Sequence, residues 1–588
     1  MRIQWYFSLL VLISPYSIQT SCSQEISTES AATKKIELLG GKVERDSTLA
    51  DHPVVGVSFA GNYKFNDKFV RLLVEFTNLA TLDLGNTQIT DVGLKELGKL
   101  KRLKILNLHS DGITDEGLRE LGPLDELESL NLGGTRITNA GLKELSKFQN
   151  LTTINLSSTA VTDAGLKELV VLSRLESIDL IETQIQGSGL QDLRRLKNLK
   201  TINLDNTQVV DDGLIGIEDH QRLTSFSLWN THVTDAGLKH VGKLTTLTKL
   251  NLAFIPISDA GLRELKNLAN LTDLVLRFTQ IGDAGINELC ELRNLTKLDL
   301  HNTQVTDSSL KVFSKNEQLK EVFLGHTQIT DLGLASLNGR QGLVTLDLGE
   351  TLITDAGLKH LTASKSLKSL TLRDTRITDA GMKEISIFSE LSSLSLGGSA
   401  ITDAATKELG AMMSLTFLDL CRTAISDVGL QELGKLQNLE YLYLHSTQIT
   451  DAGLKELKNL KQLTNLILHN DQIGDAGMVE LRELKSLKSL YLSMTQITDV
   501  GLKELKGLKK LTELEISDTA LTDAGMKELA QVKGLNVLVL RKVAITDAGL
   551  RELSELKNLT HLCVDVHRLT EEGIKEFKLA LPNVQILP

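Results

Sequence analysis

Residues 439–460 read LEYLYLHSTQITDAGLKELKNL, and two hydrophobic periods meet inside this one stretch. Leu442 and Leu444 alternate with Tyr443 and His445, the period of two expected of a half-buried strand, because successive side chains on a strand point to opposite faces. Leu454, Leu457 and Leu460 then recur every three residues, which gathers them on one side of a helix. Between the two runs stands Thr450-Asp451, a pair that supplies a side-chain cap and a negative charge to the orphan amides of a helix start. Gly453, on the first helical turn, predicts close approach to a neighbouring coil. The unit is therefore a strand followed by a helix.

The same unit recurs along the chain. Its aspartate slot falls at 91, 115, 139, 163 and every 24 residues onward to 571, giving 21 copies without an insertion; the slot departs from Asp only at Asn139, Gly187 and Glu571. One copy cannot bury enough apolar surface to offset the entropy of ordering it, so copies must stack and share a core. Parallel strands lie about 4.8 Å apart while packed helices need about 10 Å, so the stack bends with its sheet inside. The expected fold class is α/β: a solenoid shaped as a curved horseshoe or arc, with a parallel inner β-sheet and short helices on the convex side.

This pattern, spanning Leu79 to Pro582, resembles the leucine-rich-repeat family, and its Thr-Asp-x-Gly-Leu variant is similar to repeats of secreted bacterial proteins and of F-box substrate adaptors. The resemblance implies a non-catalytic scaffold that binds a partner on its concave face. The chain departs from the family in one place. Where many members carry an Asn ladder after the strand, this sequence has Thr87, Thr135, Thr159, Thr183 and Thr207, whose hydroxyls are expected to bond successive backbones with fewer donors per rung.

The ends break the pattern, as solenoid ends should. Residues 1–23 read as a signal: Met1 and Arg2, an apolar run from Trp5 to Ile18 too short to span a bilayer, then Ser21 and Ser23. Cys22 follows a small residue, as in lipoprotein signals, although Gln19 replaces the usual aliphatic residue; cleavage near Ser23 and lipidation of Cys22 both stay open. Residues 24–78 read as an N-terminal cap, with a short helix and turn over 29–46 around Ile36, Leu38, Gly40 and Gly41, and a degenerate first strand carrying Val54, Val57 and Phe59. Residues 79–582 hold the repeats. Residues 583–588, with Val584, Ile586 and Leu587, close the array.

Composition narrows the function further. A formal net charge of -11 over 588 residues leaves no basic footprint for nucleic acid, and membrane attachment rests only on lipidation of Cys22. Cys290, Cys421 and Cys563 stand about six repeats apart, roughly 30 Å at one strand spacing per repeat, too far for disulfides. No phosphate-cradling glycine loop, serine elbow, His-Glu-x-x-His or Cys-x-x-Cys occurs, so neither an enzyme nor a cofactor is expected. Asn-Leu-Thr triplets at Asn270 and Asn558 belong to the repeat consensus, and Lys-Glu pairs such as Lys455-Glu456 to a solvated convex face. A ubiquitin-ligase adaptor is the alternative that the family resemblance suggests, but no F-box-like helical segment precedes the repeats. An exported scaffold fits better, with a protein partner, or a glycan or peptide.

Partner contacts are expected where residues depart from the repeat. The outward strand slots lie eight and six residues before the aspartate slot, with the next loop residue beside them. Asp83, Asp179, Asp299, Asp347 and Asp419 occur there, with Arg277, Arg373 and Arg541 near, so neither sign of charge dominates. Aromatics make up only 4% of the chain, which makes their placement informative. Trp229, Phe254, Phe278, His301, Phe323 and His326 form one expected surface. Phe417, Tyr441, Tyr443, His445, His469, Tyr491 and Met494 form a second, centred on Tyr443 and about four strands wide. Within it Cys421, His445 and His469 share one slot in consecutive repeats, a column that could converge on zinc with Asp419 as fourth ligand.

Overall fold

The computed structural model describes residues 22–588 except 50, 314, 315, 583 and 588. Of the signal assigned to residues 1–23, residues 1–21 lie outside the described residues. The chain divides into two compact units, one ending at Leu199 and the other starting at Lys200.

The first unit opens with helix α1 (Cys22–Leu38), a turn through Gly40 at φ 82°, and strand β1 (Lys42–Arg45), which pairs antiparallel with β2 (Val54–Ser58). The expected short helix and turn are thus a longer helix plus an additional strand. The charged Lys-Val-Glu-Arg of β1 had hidden that strand, although polar edge strands protect a sheet from stray pairing. Gly41 permits the hairpin to close, since a Cβ there would lie 2.6 Å from both Ile36 and Phe59. From β2 to Ser177–Asp179 each strand of this unit is parallel to the next: β2 pairs with Thr81–Asp83, and from there the register advances by 24 residues, so that Leu82, Leu106, Leu130, Ile154 and Ile178 stand in one row.

The second unit continues the pattern from Thr201–Asn203 to Gln585–Leu587. Leu418, Leu442, Leu466 and Leu490 form the matching row there. Nearly all these strands are three residues long, half-buried at their ends and buried in the middle, as at Asn465–Ile467. The repeat leucines supply the core: Leu439, Leu442, Leu444, Ile449, Leu454, Leu457 and Leu460 are each at most 1% exposed. Behind Asp451–Leu454 the chain tightens into a 3-10 helix over Lys455–Asn459. Leucines spaced by three residues, as here, match the three-residue turn of that helix better than an α-helix.

The aspartate slot does more than cap. Thr450 Oγ1 accepts the Ala452 N–H and caps its own helix, but the carboxylate that bonds Thr450 comes from the preceding repeat. In the first unit Asp91 holds Thr114 in the same way, at 2.8 and 2.6 Å. The motif glycine follows from this clamp: a Cβ on Gly453 would sit 2.3 Å from Asp427 Oδ1.

The threonine row behaves differently from expectation. Thr159 Oγ1 donates to Leu156 O at 2.6 Å and Thr303 Oγ1 to Leu300 O at 2.6 Å, both within their own repeat. With only one hydroxyl proton, these threonines spend it on the carbonyl three residues upstream and leave no donor for the neighbour, whereas Thr87 and Thr447 donate across to Asp111 and Asp471 of the next repeat. Asn270 and Asn558 do cross between repeats, donating Nδ2 to Thr245 O and Lys533 O, each at 2.9 Å. Cys290, Cys421 and Cys563 are free.

Candidate functional site

On the strands from Thr81–Asp83 to Val537–Leu540 the outward residues are followed by a loop residue held in the left-handed region, five positions before the aspartate slot. Most copies place there residues that tolerate a positive φ, such as Asn206 at 55°, Asn230 at 53° and Gly398 at 73°. Phe254 and Phe278 occupy the same slot at 57° each. A bulky side chain at positive φ costs about 1–2 kcal/mol. The stacked backbone imposes it: the Phe254 N–H donates to Arg277 O at 3.0 Å and the Phe278 N–H to His301 O at 2.9 Å.

The two rings stack at 4.2 Å between centroids, and each residue is 39% exposed. Trp229 meets Phe254 edge-on at 6.0 Å, and His301 tilts against Phe278 at 5.6 Å, so four of the expected residues form one continuous ring surface. Arg277 lies 5.8 Å from the Phe254 centroid. His301 fits because the next repeat has Gly325, where a Cβ would approach its Nδ1 to 2.4 Å. The indole N–H of Trp229 is buried without a hydrogen-bond partner. Phe323 and His326 stand apart from the ring chain; Lys297 Nζ lies 5.4 Å from the Phe323 ring, and His326 Nδ1 pairs with Glu350 at 3.0 Å.

The second aromatic group is assembled from the strands Phe417–Asp419, Tyr441–Tyr443, Asn465–Ile467 and Ser489–Tyr491. Phe417 touches Tyr443 edge-on at 5.1 Å and Tyr441 at 6.2 Å. His469 bridges His445 at 6.3 Å and Tyr491 at 5.7 Å. Met494 is 49% exposed in the left-handed slot at φ 56°. Burial pushes both histidines below their ordinary value, which keeps them neutral at pH 7. His469 Nδ1 accepts the Ser493 N–H at 3.1 Å and therefore carries its proton on Nε2.

The zinc column does not assemble. Cys421 is buried at 1% exposure, and its thiol is pushed up to about 12, first by burial and then by Asp419. Asp419 in turn accepts from Ser395 Oγ and from the Cys421 N–H. Among the described residues no group of three or more His, Cys, Asp or Glu side chains is arranged to hold a metal ion.

The left-handed slot is the feature of this surface that hydrophobic periodicity missed. Its signal was present in the sequence, because Asn, Ser, Asp and Gly fill the slot so often that a phenylalanine in it is conspicuous.

Each unit is a stack of strand-helix coils that presents one open sheet face, which defines a parallel-sheet repeat solenoid. The chain is a leucine-rich-repeat protein. The profile for a leucine-rich repeat region matches residues 354–587, a two-copy profile matches 77–120, and single-repeat profiles match 127–146, 149–170, 243–266 and 267–290. No curated protein matches the chain. Among solved structures, an internalin of Listeria monocytogenes is 27% identical, covering 56% of this chain and 93% of its own, with a TM-score of 0.44. The ectodomain of the Arabidopsis receptor kinase HAESA, solved with an extended IDA peptide hormone, is 16% identical over 96% of this chain and 98% of its own, at 0.46. A leucine-rich-repeat protein of Leptospira interrogans is 21% identical over 79% and 91%, at 0.30.

Proposed function

We propose that the chain is a non-catalytic scaffold that binds a protein partner on its sheet face outside the cytoplasm. The observation that carries this reading is the exposed Phe254-Phe278 stack. Two aromatic rings occupy a strained backbone slot where neighbouring repeats use Asn or Gly, and they remain open to solvent. Strain of this kind persists where function requires a particular side chain, and interfaces are enriched in rigid aromatic groups. The Tyr443 surface supplies a second contact of the same type.

Export is the part of the proposal that rests on residues 1–23, with release after cleavage near Ser23 or anchoring through Cys22. Among the described residues no helix is long and apolar enough to cross a membrane. Mass spectrometry of the mature N-terminus separates the outcomes, and an intact Met1 on a cytosolic chain rejects export. Binding is tested by using the mature chain as bait at the surface of its native cell, in parallel with Phe254→Asn/Phe278→Asn. A partner held by the wild type and lost from the double variant supports the reading. A partner held equally by both moves the contact away from the stack.

A further inference from the structure

The chemistry of the second aromatic surface is more specific than aromatic character alone. It spans five consecutive strands, from Phe417–Asp419 to Glu513–Glu515, a width of roughly 19 Å at one strand spacing per step. None of the outward strand positions in these repeats carries lysine or arginine. The arginine beside them, Arg422, is spent on Asp374, reached by Nη2 at 2.7 and 3.0 Å across two repeats. Gly398 leaves room for that bridge, since a Cβ there would collide with the Asp374 carboxylate.

Acids stand at both ends of the ring surface. Asp419 precedes Tyr443 in the row of outward residues, and Glu515 follows Tyr491 in the same row, with Glu513 beside it. Ser489 Oγ donates to Glu513 at 3.1 Å and Ser493 Oγ to Glu515 at 3.0 Å, which fixes each carboxylate near Tyr491 while leaving it lone pairs to spare. Both phenols register this field. Burial raises Tyr443 above its ordinary value, and Asp419 adds to it; burial likewise raises Tyr491, helped by its hydrogen bond to Glu513 and by the charge of Glu515. The histidines are neutral and do not offset the negative sign.

Tyrosine faces beside fixed carboxylates, with no lysine or arginine on the outward positions of these five strands and Arg541 one repeat beyond Glu515, are complementary to an organic cation, which gains from the ring quadrupole and the carboxylate charge together. An acidic segment would be repelled, and a purely apolar one would leave Glu513 and Glu515 desolvated against nothing. We propose that this surface docks a lysine- or arginine-bearing segment of the protein partner, with its cation against Tyr443 and Tyr491 and its charge facing Glu513 and Glu515. The proposal rests on the scaffold reading above and adds the chemical class of the segment bound.

The test uses fluorescence anisotropy of the full chain with three labelled decapeptides, alternating Gly-Arg, Gly-Gln and Gly-Glu, at physiological ionic strength. The Gly-Arg peptide should bind about tenfold more tightly than Gly-Gln, and Gly-Glu should not bind. Tyr443→Leu/Tyr491→Leu and Glu513→Gln/Glu515→Gln should each cost the Gly-Arg peptide about tenfold. Glu432→Gln/Glu456→Gln makes the same charge change on the helix face and should cost under about twofold. Equal loss from the sheet-face and helix-face acid pairs would show only diffuse attraction to a chain of net charge -11 and would overturn the proposal. So would equal binding of Gly-Gln and Gly-Arg. Circular dichroism checks that each variant is folded. If a captured native partner depends on Tyr443 while the peptides show no preference, the cation site falls and the scaffold stands. Peptide preference with no native partner has the opposite meaning.

Discussion

The carboxylate of Asp427 belongs functionally to the repeat that follows it: Oδ1 accepts the Thr450 N–H at 2.8 Å and Oδ2 accepts the Thr450 hydroxyl at 2.7 Å. Asp427→Ala should therefore cost about 2 kcal/mol, the scale of charge-assisted hydrogen bonds lost from a part-buried site. Gly453→Ala should also destabilise, although alanine is the better helix former, because its Cβ would lie 2.3 Å from that carboxylate. Made together, the two changes should cost less than their sum by about 1 kcal/mol or more. Urea midpoints of the two single variants and the double variant decide this, and simple additivity would refute the steric link. Asp427→Asn should be milder, since Asn139 keeps two bonds to Thr162, accepting its N–H through Oδ1 and donating Nδ2 to its hydroxyl.

Asp111 and Asp471 replace the threonine found at that slot in most repeats, and burial raises both to about 7. Each accepts from a threonine of the preceding repeat through Oδ1, while Oδ2 is buried without a partner. An unfolded aspartate titrates near 3.9, so between about pH 4 and pH 7 the folded chain holds protons that the unfolded chain has released. Their cost is absent at pH 4, grows through that window and persists above it. Asp471→Thr should raise stability at pH 8 by on the order of 2–4 kcal/mol and have little effect near pH 4. A gain independent of pH, read from urea denaturation at both values, would contradict this account.

Phe254→Asn/Phe278→Asn removes two aromatic rings yet should change stability by less than about 1 kcal/mol. The lost stacking, about 0.5–1.5 kcal/mol, and the lost partial burial of the rings are offset by relief of two strained backbones at about 1–2 kcal/mol each. Phe388→Ala, at a residue 1% exposed, should cost about 3–5 kcal/mol. Comparable losses in the two variants would make the stack an ordinary part of the core.

Tyr443→Ala should weaken partner binding by about 2 kcal/mol, while Lys455→Ala, on the helix face, should do almost nothing. Matching affinities with folding intact would move the binding face away from Tyr443.

The repeat was legible because leucine spacing and Thr-Asp-x-Gly-Leu each report one local constraint, and the core slots of residues 439–460 all proved buried. Two features were not. The partner of Asp427 lies 23 residues on, so a local reading credits the carboxylate to its own helix. Thr159 turns its hydroxyl inward on Leu156, a choice of acceptor that spacing does not encode. At the surfaces, the ring contacts of Trp229, Phe254, Phe278 and His301 followed from slot arithmetic. His326 shares a row with Phe254 and Phe278 and Phe323 lies on the neighbouring outward row, but they turn to Glu350 and Lys297, because charged neighbours compete for each ring.

Because each aspartate holds only the coil that follows it, resistance to mechanical load is divided into equal parcels. Pulled by its ends in a force spectrometer, an array built this way should peel one coil at a time, each event releasing 24 residues and lengthening the tether by roughly 80 Å. A single release of the whole array would show that tension is shared across many coils at once. Regular steps would instead make the chain an extensible tether whose length reports the load on it.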